Sequence, residues 1–374
     1  MRNSSTLFML NKDEIYYSRG GIPQYFDSLT ELFDYRVTDA IETIKINTSS
    51  QPNNIPHLGT ITTIASAFAI AKLVKDKFPN KKVEVEFDEI ECCPMSEESI
   101  DGKKYVKAIS DINGDSGLSL ADENMEYYKE IFTSFSEKTN ISSSIRTYEK
   151  FQANKIIRDG LIKVVNDMDF FVKLLNPKDG KLHVRTKCPK CGRMDKDRIN
   201  TRIKEITSEG FVVESFCAAD YGKFDTPVST EGNSFIEINT QLRDLLKGIL
   251  MAEETQDGVL TAMVDGGDWS GTWATRIHCE ALQHLEKTIP IRLFSPLILD
   301  RSGGKLSKSL YRDGKRYSYV DEAYDNYLSF KNKFGEHGID ILYNEVSGWV
   351  EDPKKFFRSY SIDYIDMIMT EKNE

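Results

Sequence analysis

The chain has 374 residues, 40% of them hydrophobic, a net charge of −10 and no apolar run near the roughly 20 residues of a membrane span. Cores stop growing at roughly 250–300 residues, so this length predicts two or three structural units. The acidic balance disfavours general nucleic-acid binding through one basic face, and residues 1–14 do not resemble a signal peptide, so we expect a cytoplasmic protein that does not bind a membrane.

The first folded pattern in the chain is a strand, a loop, a helix and a second strand. IETIKIN (41–47) is rich in β-branched residues, the run 60–78 repeats apolar residues at helical spacing, and VEVEFD (83–88) alternates strictly. Such a βαβ unit predicts an α/β fold with a doubly wound parallel sheet, whose ligands bind at the carboxyl ends of the strands. The loop PNNIPHLGT (52–60) therefore lies where a nucleotide site is expected.

The remaining chain divides by pattern. Residues 122–180 are mainly helical, 183–226 carry short β-like runs and a CxxC, and 235–300 form a second α/β stretch that ends in IRLFSPLILD. We predict an N-terminal extension (1–38) and then the first half of the α/β domain with its helical segment (39–180). A zinc-ribbon-like insertion (181–228), the second half of the domain (229–310) and a short, mainly helical C-terminal tail (311–374) follow.

Two short motifs together carry a family resemblance. PNNIPHLGT has too few glycines for a Walker loop, but it resembles the His-Ile-Gly-His signature of class I aminoacyl-tRNA synthetases, which a Pro-Asn-Gly stretch commonly precedes. SGGKLSKS (302–309) resembles the Lys-Met-Ser-Lys-Ser signature of the same family. Both occur in the family's order, the first between a strand and a helix. The resemblance implies a Rossmann-like catalytic domain that uses ATP and Mg²⁺.

The chemistry of that family gives these residue types a role. When a carboxylate attacks the α-phosphate of ATP, negative charge builds on phosphate oxygens, and cationic or N–H donors stabilise it. The resemblance implies catalytic roles for His57, Lys305, Lys308 and Thr60. Thr60 stands where the first signature has its second histidine. It implies ATP binding by Pro52, Asn53, His57, Gly59, Thr60, Gly266, Gly267, Asp268, Lys305, Ser307, Lys308 and Ser309. The alternative is a loop histidine bonded to backbone and a solvated basic turn.

Beyond the signatures, the order of features from about 35 to 310 is most similar to the catalytic half of a class I lysyl-tRNA synthetase. The matching pieces are VEVEFDE, TYEKFQANKIIRDGLIKVV, CPKCGR and GGDW. The resemblance implies lysine as the amino acid, with Asp268 and Trp269 in its site. Glu86 and Asp88, on one face of a strand beside the nucleotide loop, are candidates to pair with its ammonium group. The alternative is that both face solvent on a half-exposed strand.

The cysteines indicate a metal site. Six cysteines are too few for a disulfide scaffold in a chain of this length, which favours a reducing compartment. Cys188 and Cys191 form a CPKCG knuckle typical of Zn²⁺ sites, and Cys217 and Asp220 are the expected partners. His183 is a competing fourth ligand, and a ribbon that has lost its metal is the alternative.

These patterns predict ATP-dependent activation of an amino acid and its transfer to tRNA. Only 65 residues follow Ser309, whereas full-length class I lysyl enzymes continue there into a large domain that binds the anticodon. We therefore expect a tRNA to be recognised by its acceptor stem. The alternatives are transfer of the adenylate to a small-molecule or carrier amine, a non-catalytic nucleotide-binding regulator and a metal-stabilised binding domain without nucleotide.

Overall fold

A parallel five-stranded sheet forms the centre of the molecule. The computed structural model describes residues 26–176, 178, 180–219, 221–271, 274–306 and 319–371. The sheet has the order β13-β12-β1-β2-β5, and every neighbouring pair is parallel. Its strands are β1 (Thr43–Ser50), β2 (Lys82–Glu89), β5 (Ser142–Thr147), β12 (Val259–Gly266) and β13 (Ile291–Ser295). The predicted α/β class with a parallel sheet is confirmed.

Eleven α-helices surround the sheet within the described residues. They are α1 (Glu31–Asp34), α2 (Leu58–Lys77), α3 (Leu120–Thr139), α4 (Tyr148–Ala153), α5 (Lys155–Asn166), α6 (Met168–Leu175), α7 (Thr240–Gln256), α8 (Leu282–His284), α9 (Tyr327–Glu351), α10 (Pro353–Phe356) and α11 (Ile362–Glu371). A π-helical segment, Thr275–Ala281, runs directly into α8. The smaller strands are β3 (Pro94–Ile100), β4 (Lys103–Ala108), β6 (Val184–Arg185), β7 (Met194–Asp195), β8 (Arg202–Lys204), β9 (Gly210–Cys217), β10 (Gly222–Ser229), β11 (Glu237–Ile238), β14 (Ile298–Leu299) and β15 (Tyr360–Ser361).

The two faces of the sheet differ in chemistry. On one face, apolar side chains such as Ile46, Val85 and Ala262 pack with α2, α3 and α9 in the largest core. The opposite face carries Lys45 and other charged groups, and α7 covers it. Because side chains alternate along each strand, the same three central strands supply both layers.

Helix α2 is buried in the apolar core. By length and composition it could span a membrane, but 67% of its apolar window is buried in the fold. It packs against β1, β2, β12 and α9. Its hydrophobicity is therefore explained by burial, and among the described residues it is the one helix with this property.

The segment predicted as a C-terminal tail is part of this core. Helix α9 packs along α2, and Phe330, Val346 and Trp349 are almost fully buried. Gly335 has a left-handed φ of 66° and marks a kink within α9. The C-terminal helices thus support the helix that follows the PNNIPHLGT loop.

Candidate active site

A cavity of about 610 Å³ opens at the carboxyl ends of β1, β12 and β13. Parallel α/β sheets bind their ligands at this edge. Eight of the residues predicted from the sequence line it: Asn53, His57, Gly59, Thr60, Gly266, Asp268, Trp269 and Lys305. The structure therefore brings the first motif, the GGDW segment and the first lysine of the second motif together around one space.

His57 forms the N-cap of α2. Its backbone is extended, with φ −95° and ψ 169°, and its Nδ1 accepts a hydrogen bond of 3.0 Å from the Gly59 N–H. A Cβ atom at Gly59 would lie 2.9 Å from His57 Cε1, so only glycine allows the ring to fold back over the helix start. The imidazole and the first turn of α2 are thus presented together at the cavity.

The GGDW segment and the lysine loop meet across the cavity mouth. Lys305 Nζ lies 2.5 Å from Asp268 Oδ2, and both side chains are partly exposed, at 43% and 32%. Before Lys305 the chain turns tightly, because Asp300 Oδ1 accepts hydrogen bonds from the N–H groups of Ser302 and Gly304. The ion pair between Asp268 and Lys305 thus connects the end of β12 with the loop after β14.

Other predicted ATP-binding residues do not line the cavity or lie outside the described part. Pro52 is buried, and its carbonyl accepts a 2.8 Å bond from Asn124 Nδ2. Gly267 packs closely against the backbone of β13, where an added Cβ would lie 3.1 Å from the Ser295 carbonyl oxygen. Ser307, Lys308 and Ser309 lie outside the described residues.

Glu86 and Asp88 are placed differently from the expectation. Both are buried, at 7% and 5% exposure, so the interpretation of solvent-facing residues is wrong. Neither lines the cavity, and this does not support their predicted contact with a substrate ammonium group. The physical reason is that α7 covers this face of the sheet, and cations from β1, β5 and α7 pair with the two carboxylates.

The carboxylates of β2 belong to a sealed charged layer. Asp88 lies 2.7 Å from Arg146 Nε and 2.9 Å from Lys247 Nζ, and Glu86 lies 3.2 Å from Lys45 and 3.1 Å from Arg146. Burial opposes the charge of Asp88, but Lys247 and Arg146 outweigh it and lower its pKa to about 2. Each carboxylate is therefore satisfied by cations of the protein itself.

A different charged group faces the cavity at the end of β12. Asp244 and Asp265 line it, and Asp265 Oδ2 lies 2.9 Å from Arg292 Nη2, which is 4.0 Å from Asp244. Burial raises the pKa of Asp265 against the pull of Arg292. This pair was not predicted, and the one signal for it in the sequence is the position of Asp265 at the end of an apolar strand.

A buried histidine orients Arg292. Arg292 Nη1 lies 2.9 Å from His278 Nε2 and 3.1 Å from Met263 Sδ. Burial first, and then Arg292, lower the pKa of His278 to about 3, so the imidazole is neutral and its Nε2 accepts the hydrogen bond. His278 belongs to the π-helical segment, a distortion often found at functional sites.

Arg243 also lines the cavity and was not predicted. It lies on the first turn of α7, whose N-cap is Asn239, and it is 5% exposed. Nothing in the sequence around it distinguishes it from an ordinary helical arginine.

Three of the predicted metal ligands converge. The sulfur atoms of Cys188, Cys191 and Cys217 lie within 4.8 Å of one another, and Cys191 and Cys217 are 3.6 Å apart. Thiolates bound to Zn²⁺ at about 2.3 Å in a tetrahedron are separated by roughly 3.8 Å, so the group fits such an ion. Gly192, with φ 72°, closes the knuckle, and its N–H donates to the Cys188 carbonyl.

The described residues do not show a fourth ligand beside the three cysteines. Asp220 lies outside the described residues. His183, the competing candidate, is 3.4 Å from Glu237 through Nε2 and is not part of the cysteine group. All six cysteines are free.

Comparisons with known proteins give only distant structural likenesses. No family model and no curated protein matches the chain. A methionyl-tRNA synthetase of Mycobacterium tuberculosis, solved with methionyl-adenylate, is 12% identical with a TM-score of 0.42 over 89% of this chain and 68% of that one. A glutamate tRNA ligase of Elizabethkingia meningosepticum, solved with its amino acid, is 11% identical with a TM-score of 0.40 over 85% and 67%.

A third neighbour is a Campylobacter jejuni protein with the provisional name arginyl tRNA synthetase. It is 10% identical with a TM-score of 0.36 over 81% of this chain and 62% of that chain. The chain thus spans about two thirds, or slightly less, of the length of these neighbours. Such low identities and TM-scores establish neither a shared family nor an activity.

Proposed function

We propose that the chain catalyses ATP-dependent activation of an amino acid to an aminoacyl adenylate. The observation that carries the proposal is the convergence of His57, Asp268 and Lys305, from three distant parts of the sequence, around one cavity at the carboxyl ends of parallel strands. His57 and Lys305 belong to the two sequence signatures, and Asp268 belongs to the GGDW segment that the resemblance also assigns to ATP. The cavity is also large enough for a small ligand, which pockets of roughly 300–1,000 Å³ accommodate.

In this reaction a carboxylate oxygen of the amino acid attacks the α-phosphorus of ATP. The bond from phosphorus to the bridging oxygen breaks, and pyrophosphate leaves with that electron pair. His57, whose Nδ1 accepts the Gly59 N–H and whose Nε2 is therefore the ring donor, donates to the phosphate oxygens, and the N-terminus of α2 favours negative charge there. Lys305 approaches the triphosphate from the other side once it leaves Asp268. Mg²⁺ bound to ATP would neutralise part of the phosphate charge.

The direct test is exchange of labelled pyrophosphate into ATP, scanned over all amino acids. We expect exchange with one or a few amino acids, and a loss of about 100-fold or more in Lys305→Ala, because donors to developing charge have effects of that size. Lys308→Ala should behave in the same way. Lys129→Ala removes an exposed lysine that pairs only with Glu126 among the described residues, and it should remain active.

Two outcomes would contradict the proposal. One is the absence of exchange with every amino acid, and the other is full activity in Lys305→Ala. If ATP raised the melting temperature without any exchange, the chain would instead be a nucleotide-binding regulator, a candidate that the replacement of the second signature histidine by Thr60 favours.

Lysine is the amino acid that the sequence resemblance supports. Glu86 and Asp88 are paired with protein cations, so we propose that carboxylates lining the cavity, among them Asp244, Asp265 and Asp268, pair with its ammonium groups. Asp265 lies 2.9 Å from Arg292 and Asp244 lies 4.0 Å from it, and Arg243 lines the same cavity, so the wall offers charges of both signs to an amino acid. The amino-acid scan tests the assignment, which fails if lysine gives no exchange above background.

For the acceptor we propose tRNA, recognised by its acceptor stem, with a small-molecule or carrier amine as the alternative. The test is transfer of the labelled amino acid to total tRNA. Charging that weakens steeply between low and moderate salt indicates phosphate contacts. Adenylate formation without any labelling of tRNA at low salt would contradict the tRNA proposal and favour an amine acceptor.

We further propose that Cys188, Cys191 and Cys217 hold a structural Zn²⁺, with Asp220 as the fourth ligand. The fit of the three sulfur positions supports it. Purified protein should contain one zinc per chain by elemental analysis, and Cys188→Ser should lose both metal and stability. Cys279→Ser is the matched control, because Cys279 is not part of the group. A metal-free protein of unchanged stability would overturn the proposal.

A further inference from the structure

Arg243 is a buried cation without a counter-charge among the residues that the structure describes. It is 5% exposed and lines the cavity, and no carboxylate among the described residues forms an ion pair with it. An unpaired charge is costly to bury, so buried guanidinium groups normally contact a carboxylate or another anion. Glu237, in the short strand that precedes α7, is paired with Arg185 at 2.6 Å.

Neutral oxygen atoms hold the guanidinium in place. Nη2 donates to Thr240 Oγ1 at 2.9 Å and Nη1 donates to the Ile238 carbonyl at 3.4 Å. A guanidinium has five N–H donors. The two bonds use two of these donors, and the residue lines the cavity, so three donors are left for a ligand there.

Four other cations, two of them buried and two half-buried, show what distinguishes Arg243. Lys247, Arg146 and Arg292 each lie within 3.1 Å of a carboxylate. Arg158, at 1% exposure, resembles Arg243 in having no carboxylate partner among the described residues, but its guanidinium is bonded to the Ser234 carbonyl at 2.6 Å and does not line the cavity. Arg243 alone among these five combines a missing counter-charge with access to the cavity.

We propose that Arg243 binds a carboxylate of the amino-acid substrate. A planar guanidinium matches a carboxylate through two parallel N–H bonds, and the pairing is strong where water is excluded. Asp244 and Asp265 line the same cavity, so the space holds cationic and anionic groups for the two ends of a zwitterion. The inference rests on the proposed activation reaction, and it assigns substrate recognition to a residue outside both signatures.

The carboxylate has two sources that the test separates. If Arg243 binds the α-carboxylate, Arg243→Gln should raise the KM of pyrophosphate exchange for every accepted amino acid by a similar factor, about 10- to 100-fold, the range for a hydrogen bond to a charged group. If it binds a side-chain carboxylate, the wild type should prefer acidic amino acids and Arg243→Gln should lose that preference. In both cases the KM for ATP should remain unchanged.

Controls keep the test independent of folding. Arg158→Gln removes the other buried arginine without a carboxylate and should lower stability while leaving the KM for the amino acid unchanged. Arg243→Lys keeps the charge and loses the planar fork, so it should raise that KM by about 10-fold, and it decides the matter if Arg243→Gln does not fold. An unchanged KM for the amino acid, or a rise confined to ATP, would overturn the inference.

Direct binding separates this inference from the proposed activation. If the wild type shows no exchange, titration calorimetry with each amino acid still tests Arg243. Binding by the wild type that is lost in Arg243→Gln and absent for the matching amine without a carboxylate would support the inference and leave activation contradicted. No binding of any amino acid by the wild type would overturn both.

Discussion

Carboxylates end two strands on the same face of the sheet, and the two groups have different surroundings. Glu86 and Asp88 of β2 meet three protein cations under α7 and do not line the cavity. Asp265 of β12 shares one cation with Asp244 and lines the cavity. Residue type and strand position do not separate a structural carboxylate from one that can bind a substrate. The number of cations around the carboxylate and its access to the cavity do.

Removing a carboxylate from the sealed layer should give the largest effect on stability. Asp88→Ala leaves Lys247, at 2% side-chain exposure, without its carboxylate, so we expect the free energy of unfolding to fall by about 3–5 kcal/mol in urea titrations. Asp76→Ala breaks an exposed pair with Lys72 and should cost less than about 1 kcal/mol. Equal losses in the two variants would show that the layer is not sealed.

Substitution of Asp265, on the cavity wall, should affect substrate binding more than stability. Asp265→Asn removes a charge that we place at the substrate, so the KM for the amino acid in pyrophosphate exchange should rise by about 10-fold or more. Its loss of stability should be smaller than that of Asp88→Ala, because Arg292 keeps Asp244 and His278 nearby. The comparison fails if the folded Asp88→Ala protein shows the larger change in KM.

The sequence predicted the faces of the strands better than their surroundings. The alternation of VEVEFD correctly put Glu86 and Asp88 on one face, and the spacing of apolar residues predicted α2 to within a few residues. It could not show that Lys45, Arg146 and Lys247 converge there, because they come from β1, β5 and α7. Strand β5 was missed for a related reason: its polar residues SSSIRT form the edge of the sheet and have no apolar pattern.

The candidate site divides in the same way. His57, Asp268 and Lys305 were predictable because short motifs identify them, and the structure gathers them at one cavity. Arg243 and Arg292 carry no motif, and their importance depends on burial and on which carboxylates lie nearby. The burial of an arginine and the carboxylates around it can be determined only from a structure, because the contacting residues come from distant segments of the chain.

The neutral His278 should give the pH dependence of stability a recognisable slope. Its pKa is about 3 in the folded protein and near 6.5 when unfolded, so the unfolded chain binds the extra proton between these values. Stability should therefore fall as the pH drops below about 6.5, by at most about 1.4 kcal/mol per pH unit. In His278→Gln this contribution should vanish, and unfolding between pH 6.5 and 5 should show a shallower slope.

The exposed His337 supplies the control for that measurement. His337→Gln changes an exposed side chain of α9 and should leave the slope unchanged. Parallel curves for the wild type and His278→Gln would mean that His278 binds a proton in the folded protein. Arg292 would then have no acceptor there, and the positioning of Asp265 would need another explanation.

The pair of Asp268 and Lys305 should give the smallest effect, and salt separates it from the sealed layer. Both side chains are partly exposed at the cavity mouth, so their coupling energy in a double-mutant cycle of Asp268→Asn and Lys305→Ala should be about 0–1 kcal/mol at low salt. Since the Debye length falls from about 10 Å at 0.1 M to about 3 Å at 1 M salt, the coupling should disappear at 1 M.

The same cycle with Asp88→Asn and Lys247→Met should keep most of its coupling at 1 M, because water and ions do not reach that pair. A salt-resistant coupling between Asp268 and Lys305 would mean that the mouth is closed in solution, and that Lys305 is not available to phosphate without a larger rearrangement.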